Sequence, residues 1–174
     1  MKIKPNTAGF LDGYGFVRDG RGTMYWIHRE RREVRKRSGD GPVVTVARGR
    51  LREPRWINVT SGGVLYVIDG RDLVRVAPDG NVRPISANLV PESKLHGAHV
   101  LFGVWFDRAG NVYVADYAHR RVLRVANDGR SSVFAESVWP WGPPGGVFAP
   151  NGDLWLLEYS VTNQARVRRI KVAQ

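Results

Sequence analysis

Four polar residues stand at matching places in four similar segments of this 174-residue chain: His28, Asp69, Asp116 and Glu158. Each follows an aromatic residue by three positions, after Tyr25, Tyr66, Tyr113 and Trp155, and each closes an otherwise apolar run. A histidine and carboxylates on one rim have the chemistry to exchange protons or to hold a divalent cation such as calcium through oxygen. Glu158 and His28 break the aspartate pattern, which marks them as the candidate catalytic acid–base residues. Asp69 and Asp116 are the candidate metal ligands. The structural alternative is that a carboxylate at such a place caps the next turn by accepting backbone N–H bonds.

Two loops add further candidates. Pro91–Val100 carries His96 and His99, whose spacing suits a shared metal or proton transfer, although no third ligand is evident. Val138–Gly146 carries Trp139 and Trp141, which could plug a gap between repeats or floor a pocket. Trp56 could join either role, and its neighbour Arg55 suits an anionic ligand stacked on an aromatic platform. The ligand-binding candidates are therefore Arg55, Trp56, His96, His99 and Trp141.

The elements that position these residues are visible as a repeat. Gly22, Gly63, Gly110 and Gly152 open the matching segments and lie 41, 47 and 42 residues apart. A strand-rich period of about 40–50 residues is that of β-propeller blades. The third segment is the clearest, with strands expected at Phe102–Phe106, Val112–Asp116, Arg121–Val125 and Ser132–Ala135. Asp128-Gly129 reads as its last hairpin turn, and the same Asp-Gly pair recurs at Asp40-Gly41 and Asp79-Gly80. The first two strands are apolar at successive positions, so both faces need cover, which a neighbouring blade on each side supplies. Strand C carries Arg35, Arg75, Arg124 and Arg169 at related places, so part of the positive charge is architectural. The expectation is an all-β propeller of four four-stranded antiparallel blades near 10–48, 54–88, 101–137 and 143–174, forming one domain over 1–174. The fourth blade stops after its third strand, leaving an edge that Lys2-Ile3-Lys4, within 1–9, could close in the same chain or in a partner. An unfilled edge favours a homo-oligomer.

Composition narrows the chemistry. Apolar residues make up 43% and charged residues 25%, an ordinary globular balance. The absence of cysteine excludes disulfides, thiolate metal sites and cysteine nucleophiles. No apolar run is long enough for a membrane span. Met1–Pro5 has no apolar stretch of the secretory type, and the compartment stays open. The net charge of +11 attracts acidic partners. In the densest basic run, His28–Arg37, Glu30 and Glu33 interrupt the positive charge, and a solvated hairpin explains it. No nucleotide-binding loop, serine elbow or zinc-helix motif is present.

Phe106–Asp116 followed by Arg121–Val125 resembles the NHL repeat and the blades of the regucalcin/gluconolactonase superfamily. Asn151–Tyr159 is similar to blades of streptogramin lyase. The resemblance implies that His28, Asp69, Asp116 and Glu158 end on the top face, near a channel. It also implies six or seven blades in a closed ring, so these four are a portion of a larger propeller, an open arc that closes by self-association, or a true four-bladed ring. The gluconolactonase-like enzymes bind their cation with an Asn at the start of a strand A, a strand-B Asp and a Glu. Here the Asn position holds Tyr14, Arg55, Phe102 and Gly145, so that triad is not visible. Two functions follow. One is an NHL-like scaffold binding a protein, a polyanion or another ligand through its channel-face loops. The alternative is a small-molecule hydrolase or lyase with a cation or acid–base site on the top face.

Overall fold

The computed structural model describes residues 13–90 and 100–172. His96, His99 and Lys2-Ile3-Lys4 lie outside the described residues. The first blade comprises β1 (Gly13–Arg18), β2 (Thr23–His28), β3 (Glu33–Ser38) and β4 (Val44–Ala47). The second comprises β5 (Pro54–Val59), β6 (Leu65–Asp69), β7 (Asp72–Val76) and β8 (Val82–Ser86). The third comprises β9 (Leu101–Phe106), β10 (Val112–Asp116), β11 (Arg121–Val125) and β12 (Ser131–Glu136). The fourth has three strands among the described residues: β13 (Trp141–Phe148), β14 (Leu154–Ser160) and β15 (Ala165–Ile170). Each sheet is an antiparallel meander in sequence order. The fold is therefore an all-β propeller of four blades.

The same turn joins the first two strands of every blade. Asp19 N–H bonds Thr23 O, and Gly22 N–H bonds back to Asp19 O; Thr60/Gly63, Asp107/Gly110 and Ala149/Gly152 repeat the pattern. Gly22, Gly63, Gly110 and Gly152 all take φ between +77° and +87°, the left-handed region that glycine enters without a steric penalty. The periodic glycines of the sequence are thus a backbone requirement. Gly80 and Gly129 close the expected third hairpins with positive φ, but in the first blade Gly39 takes that conformation, while Gly41 does not.

Strand B carries the core. Tyr25, Ile27 and Val34 pack with Ile57, Leu65 and Val67 between the first and second blades. Ile68 and Leu73 meet Val104, Val112 and Val114 between the second and third. Trp105, Tyr113 and Val122 meet Leu154 and Leu156 between the third and fourth. A fully buried side chain of this size stabilises the fold by about 1.5–3 kcal/mol. The inner strands adjoin as β1–β5, β5–β9 and β9–β13, and among the described residues no comparable packing joins β13 to β1.

The register also refines the basic pattern of strand C. Tyr66 faces Arg75, Tyr113 faces Arg124 and Trp155 faces Arg169 across their ladders. In the first blade Lys36 takes this place opposite Tyr25, while Arg35 pairs with Trp26. Arg35 was expected at that place; its side chain instead leans toward Glu33.

Candidate functional site

Three of the four polar residues, His28, Asp69 and Asp116, end their strands beside a repeated irregularity in the inner strand, whereas Glu158, expected at the same place, lies inside β14, which runs on to Ser160. The β1–β2 register shifts between Tyr14 and Phe16, and β5–β6 shifts between Pro54 and Trp56. In the third blade, Phe102 and Gly103 bulge between Leu101 and Val104. In the fourth, Pro143 and Pro144 bulge between Gly142 and Gly145. A bulge re-aims side chains and is common beside active sites. Prolines fit such a place because they bring no N–H to a ladder.

Each of the four polar residues is then engaged within or near its own blade. His28 is half-buried, and its Nδ1 accepts the Arg31 N–H at 3.4 Å. Its cross-strand neighbour Glu33 is buried and accepts from Arg35 at 2.9 and 3.0 Å and from Arg48 at 2.7 Å. Burial opposes ionisation of Glu33, yet Arg35 and Arg48 hold it below the ordinary glutamate range. Asp69 is buried and accepts the N–H groups of Arg52 and Glu53, tying the end of β6 to the loop that enters β5. This is the turn-capping role open to a strand-end carboxylate.

Asp116 is fully buried. It bonds His119 Nδ1 at 2.8 and 3.0 Å, accepts the His119 N–H at 3.3 Å, and accepts Arg121 Nε at 2.7 Å. The His119 side chain remains 33% exposed. Sequence reading missed His119; its signal was a histidine three residues beyond a strand-end aspartate, within the turn to the next strand.

Glu158 is also fully buried, with Arg166 Nε at 2.7 Å and Arg168 Nη2 at 3.1 Å. Burial works against its charge, but the Ser137 side chain and the two guanidiniums keep its pKa below the ordinary value. The Arg166 guanidinium lies 4.1 Å over the Trp141 ring. Trp141 opens β13 rather than sitting in a loop, so a strand fixes it.

Arg55 is buried and ion-paired with Glu53. Its neighbour Trp56 is half-buried, 5.6 Å from Phe102, which lies 5.1 Å from Tyr117. A β-carbon on Gly142 would stand 2.9 Å from the Tyr117 ring. A half-buried aromatic row thus runs from Trp56 through Phe102 to Tyr117, and the Trp141–Arg166 stack begins one residue from Gly142.

The structure therefore brings Trp56 beside Phe102 and joins Trp141 to Glu158 through Arg166. It keeps His28, Asp69, Asp116 and Glu158 in separate blades with separate partners. Among the described residues no three His, Asp or Glu side chains gather as a metal site. Two cavities among the described residues lie at the opposite end, beside the first turns of the blades. One of about 240 Å³ is lined by Asp19, Tyr25 and Gly63, and one of about 440 Å³ by Asp107, Tyr113 and Gly152.

No protein-family profile matches the chain, and no curated protein matches it. Solved structures do. Virginiamycin B lyase from Staphylococcus aureus superposes with a TM-score of 0.66 at 12% identity, over 95% of this chain and 58% of that one. A calcium-binding regucalcin from Agrobacterium tumefaciens gives 0.55 at 16%, over 93% and 75%. A structure described as a candidate gluconolactonase gives 0.72 at 16%, over 98% and 63%. The chain thus spans about 58% of the length of the lyase it matches. The likeness is one of fold: a β-propeller related at low identity to the gluconolactonase, regucalcin and streptogramin-lyase structures.

Proposed function

We propose that the chain forms part of a small-molecule site of lyase or lactone-hydrolase type, with His119 as its proton carrier. The observation that carries this is the bond between His119 Nδ1 and the fully buried carboxylate of Asp116. A carboxylate that accepts Nδ1–H fixes the imidazole tautomer and leaves Nε2 with a lone pair. Such a nitrogen can remove a proton in an elimination or activate water for attack on an ester. Arg121 Nε also donates to Asp116 and holds the carboxylate from a second side, which preserves its orienting role. The row Trp56–Phe102–Tyr117 offers ring faces to a cyclic ligand. The fold likeness to a virginiamycin B lyase and to a candidate gluconolactonase supports these two reaction types.

Asp69 and Glu158 serve structure in this reading. A cation, if one is used, would need oxygen ligands beyond Asp69 and Asp116, which are already bonded. The test is an assay of purified protein for linearisation of virginiamycin B and for hydrolysis of small lactones. Turnover is expected in the wild type and is lost in His119→Ala with the fold retained. Full activity in His119→Ala, or none in the wild type, overturns the proposal.

A scaffold reading is favoured by a different observation, the strongly exposed side chains of Arg48, Arg52 and Arg130 on a chain of charge +11. Its mark is polyanion binding that weakens steeply with salt. That binding without turnover decides for the scaffold.

A further inference from the structure

The repeat supplies its own control for one exposed surface. Tyr25, Tyr66, Tyr113 and Trp155 hold the same register place in β2, β6, β10 and β14. The first three turn toward the following blade. Tyr25 packs with the core of the second blade, Tyr66 lies 5.1 Å from Phe106 of the third, and Tyr113 lies 4.7 Å from Phe148 of the fourth. Tyr25 and Tyr113 are buried, whereas Trp155 is 42% exposed. Around it on the same sheet face stand Val147, opposite Trp155, and Val167, opposite Leu157, each 62% exposed. Tyr159 extends the patch at 39% exposed.

We propose that this face of the fourth blade docks onto the same face of a second copy of the chain, forming a twofold symmetric dimer. Two features select that occupant. First, the face is self-complementary: alternation along β13, β14 and β15 places Val147, Trp155, Leu157, Tyr159, Ala165 and Val167 on it. Its one charged side chain, Arg169, is neutralised by Asp153. Arg166 and Arg168 turn to the other side, onto Glu158. A chain of charge +11 therefore has a surface where two copies can meet without repulsion. Second, β15, the outer strand of the blade among the described residues, carries Arg166, Arg168 and Arg169, charges of the kind that discourage strand-to-strand joining. Association thus falls to the face rather than to the edge.

The area sets the strength. Three strands about 4.8 Å apart and about six residues long make a face of roughly 15 by 20 Å. That is small for a stable interface, so the dimer is concentration-dependent. An isologous contact closes on itself and stops at two copies.

Light scattering and sedimentation of the full chain, from low to high micromolar concentration, test this. The expected result is a shift from the mass of one chain to that of two. Trp155→Lys and Val167→Lys should each hold the protein at one chain with an unchanged circular dichroism spectrum. If a lysine disrupts the blade, tryptophan emission of the folded wild type decides. It should shift to the blue on concentration, and Trp155→Phe should lose the shift. A wild-type protein that stays one chain throughout, or a dimer that survives both lysines, overturns the proposal.

Discussion

Gly129 turns its α-carbon onto the carbonyl of Ile85, so closely that a β-carbon there falls well inside van der Waals contact. The contact joins the last hairpin of the third blade to the outer strand of the second. Gly80 makes the same approach to Val46 one blade earlier. Both glycines also hold positive φ, at +84° and +86°. Blade spacing is therefore set by backbone against backbone, where no side chain can yield.

Gly129→Ala and Gly80→Ala should each cost about 2–4 kcal/mol, combining left-handed strain with a clash against backbone. Gly110→Ala is the control: its φ is +82°, but nothing lies within 4 Å of the added carbon, so about 1–2 kcal/mol is expected. Denaturant midpoints at unchanged slope measure the difference.

The Tyr113 hydroxyl donates to Asp107 at 2.9 Å in a half-closed groove. Burial first, and the Asp107 hydrogen bond and charge next, push its pKa up to about 12 from 10.0. The folded chain thus keeps this proton where the unfolded chain loses it. Stability from Tyr113 is complete below pH 10 and drains away as pH rises toward 12. Phenolate absorbance should show one tyrosine titrating late, and Asp107→Asn should bring it earlier.

Glu158 and Glu33 shift the other way. Their folded pKa values lie below the ordinary 4.5 because nearby guanidiniums and hydrogen bonds outweigh burial. Their contribution is present above that value and is lost as pH falls through the depressed folded value. Glu158→Gln leaves Arg166 and Arg168 without their counter-charge and should cost about 2–4 kcal/mol at neutral pH. It should also blunt acid unfolding, which a pH series of thermal melts would show.

Asp116→Asn tests positioning apart from turnover. The amide cannot stay an anionic acceptor shared by His119 and Arg121. Nitrogen chemical shifts of His119 should report a single Nδ1–H tautomer in the wild type and a mixture in the variant. If turnover is found, kcat should fall about 100-fold or more with KM little changed. An unchanged tautomer would show that Asp116 does not orient the ring.

The blade pattern was legible because it is local. The glycines at 22, 63, 110 and 152 mark a turn whose backbone demands them, and the apolar runs after them need cover on both faces. The fourth blade has three strands among the described residues. The site was legible only as a set of places. Sequence reading put His28, Asp69, Asp116 and Glu158 at equivalent strand ends, but equivalence in a repeat is not proximity. His119 escaped because a histidine in a turn means little until the aspartate beneath it is known to be buried.

By itself, then, the sequence determined the number of blades, their strand order and the conformation of the turn that joins the first two strands of each, since each follows from residues a few positions apart. Tertiary structure decided which charges are neutralised, which aromatics are covered and which carboxylate orients a histidine. Those outcomes depend on which blade lies beside which. Trp155 shows the reason: it repeats Tyr113 in the sequence, yet it stands exposed because no described blade follows its own.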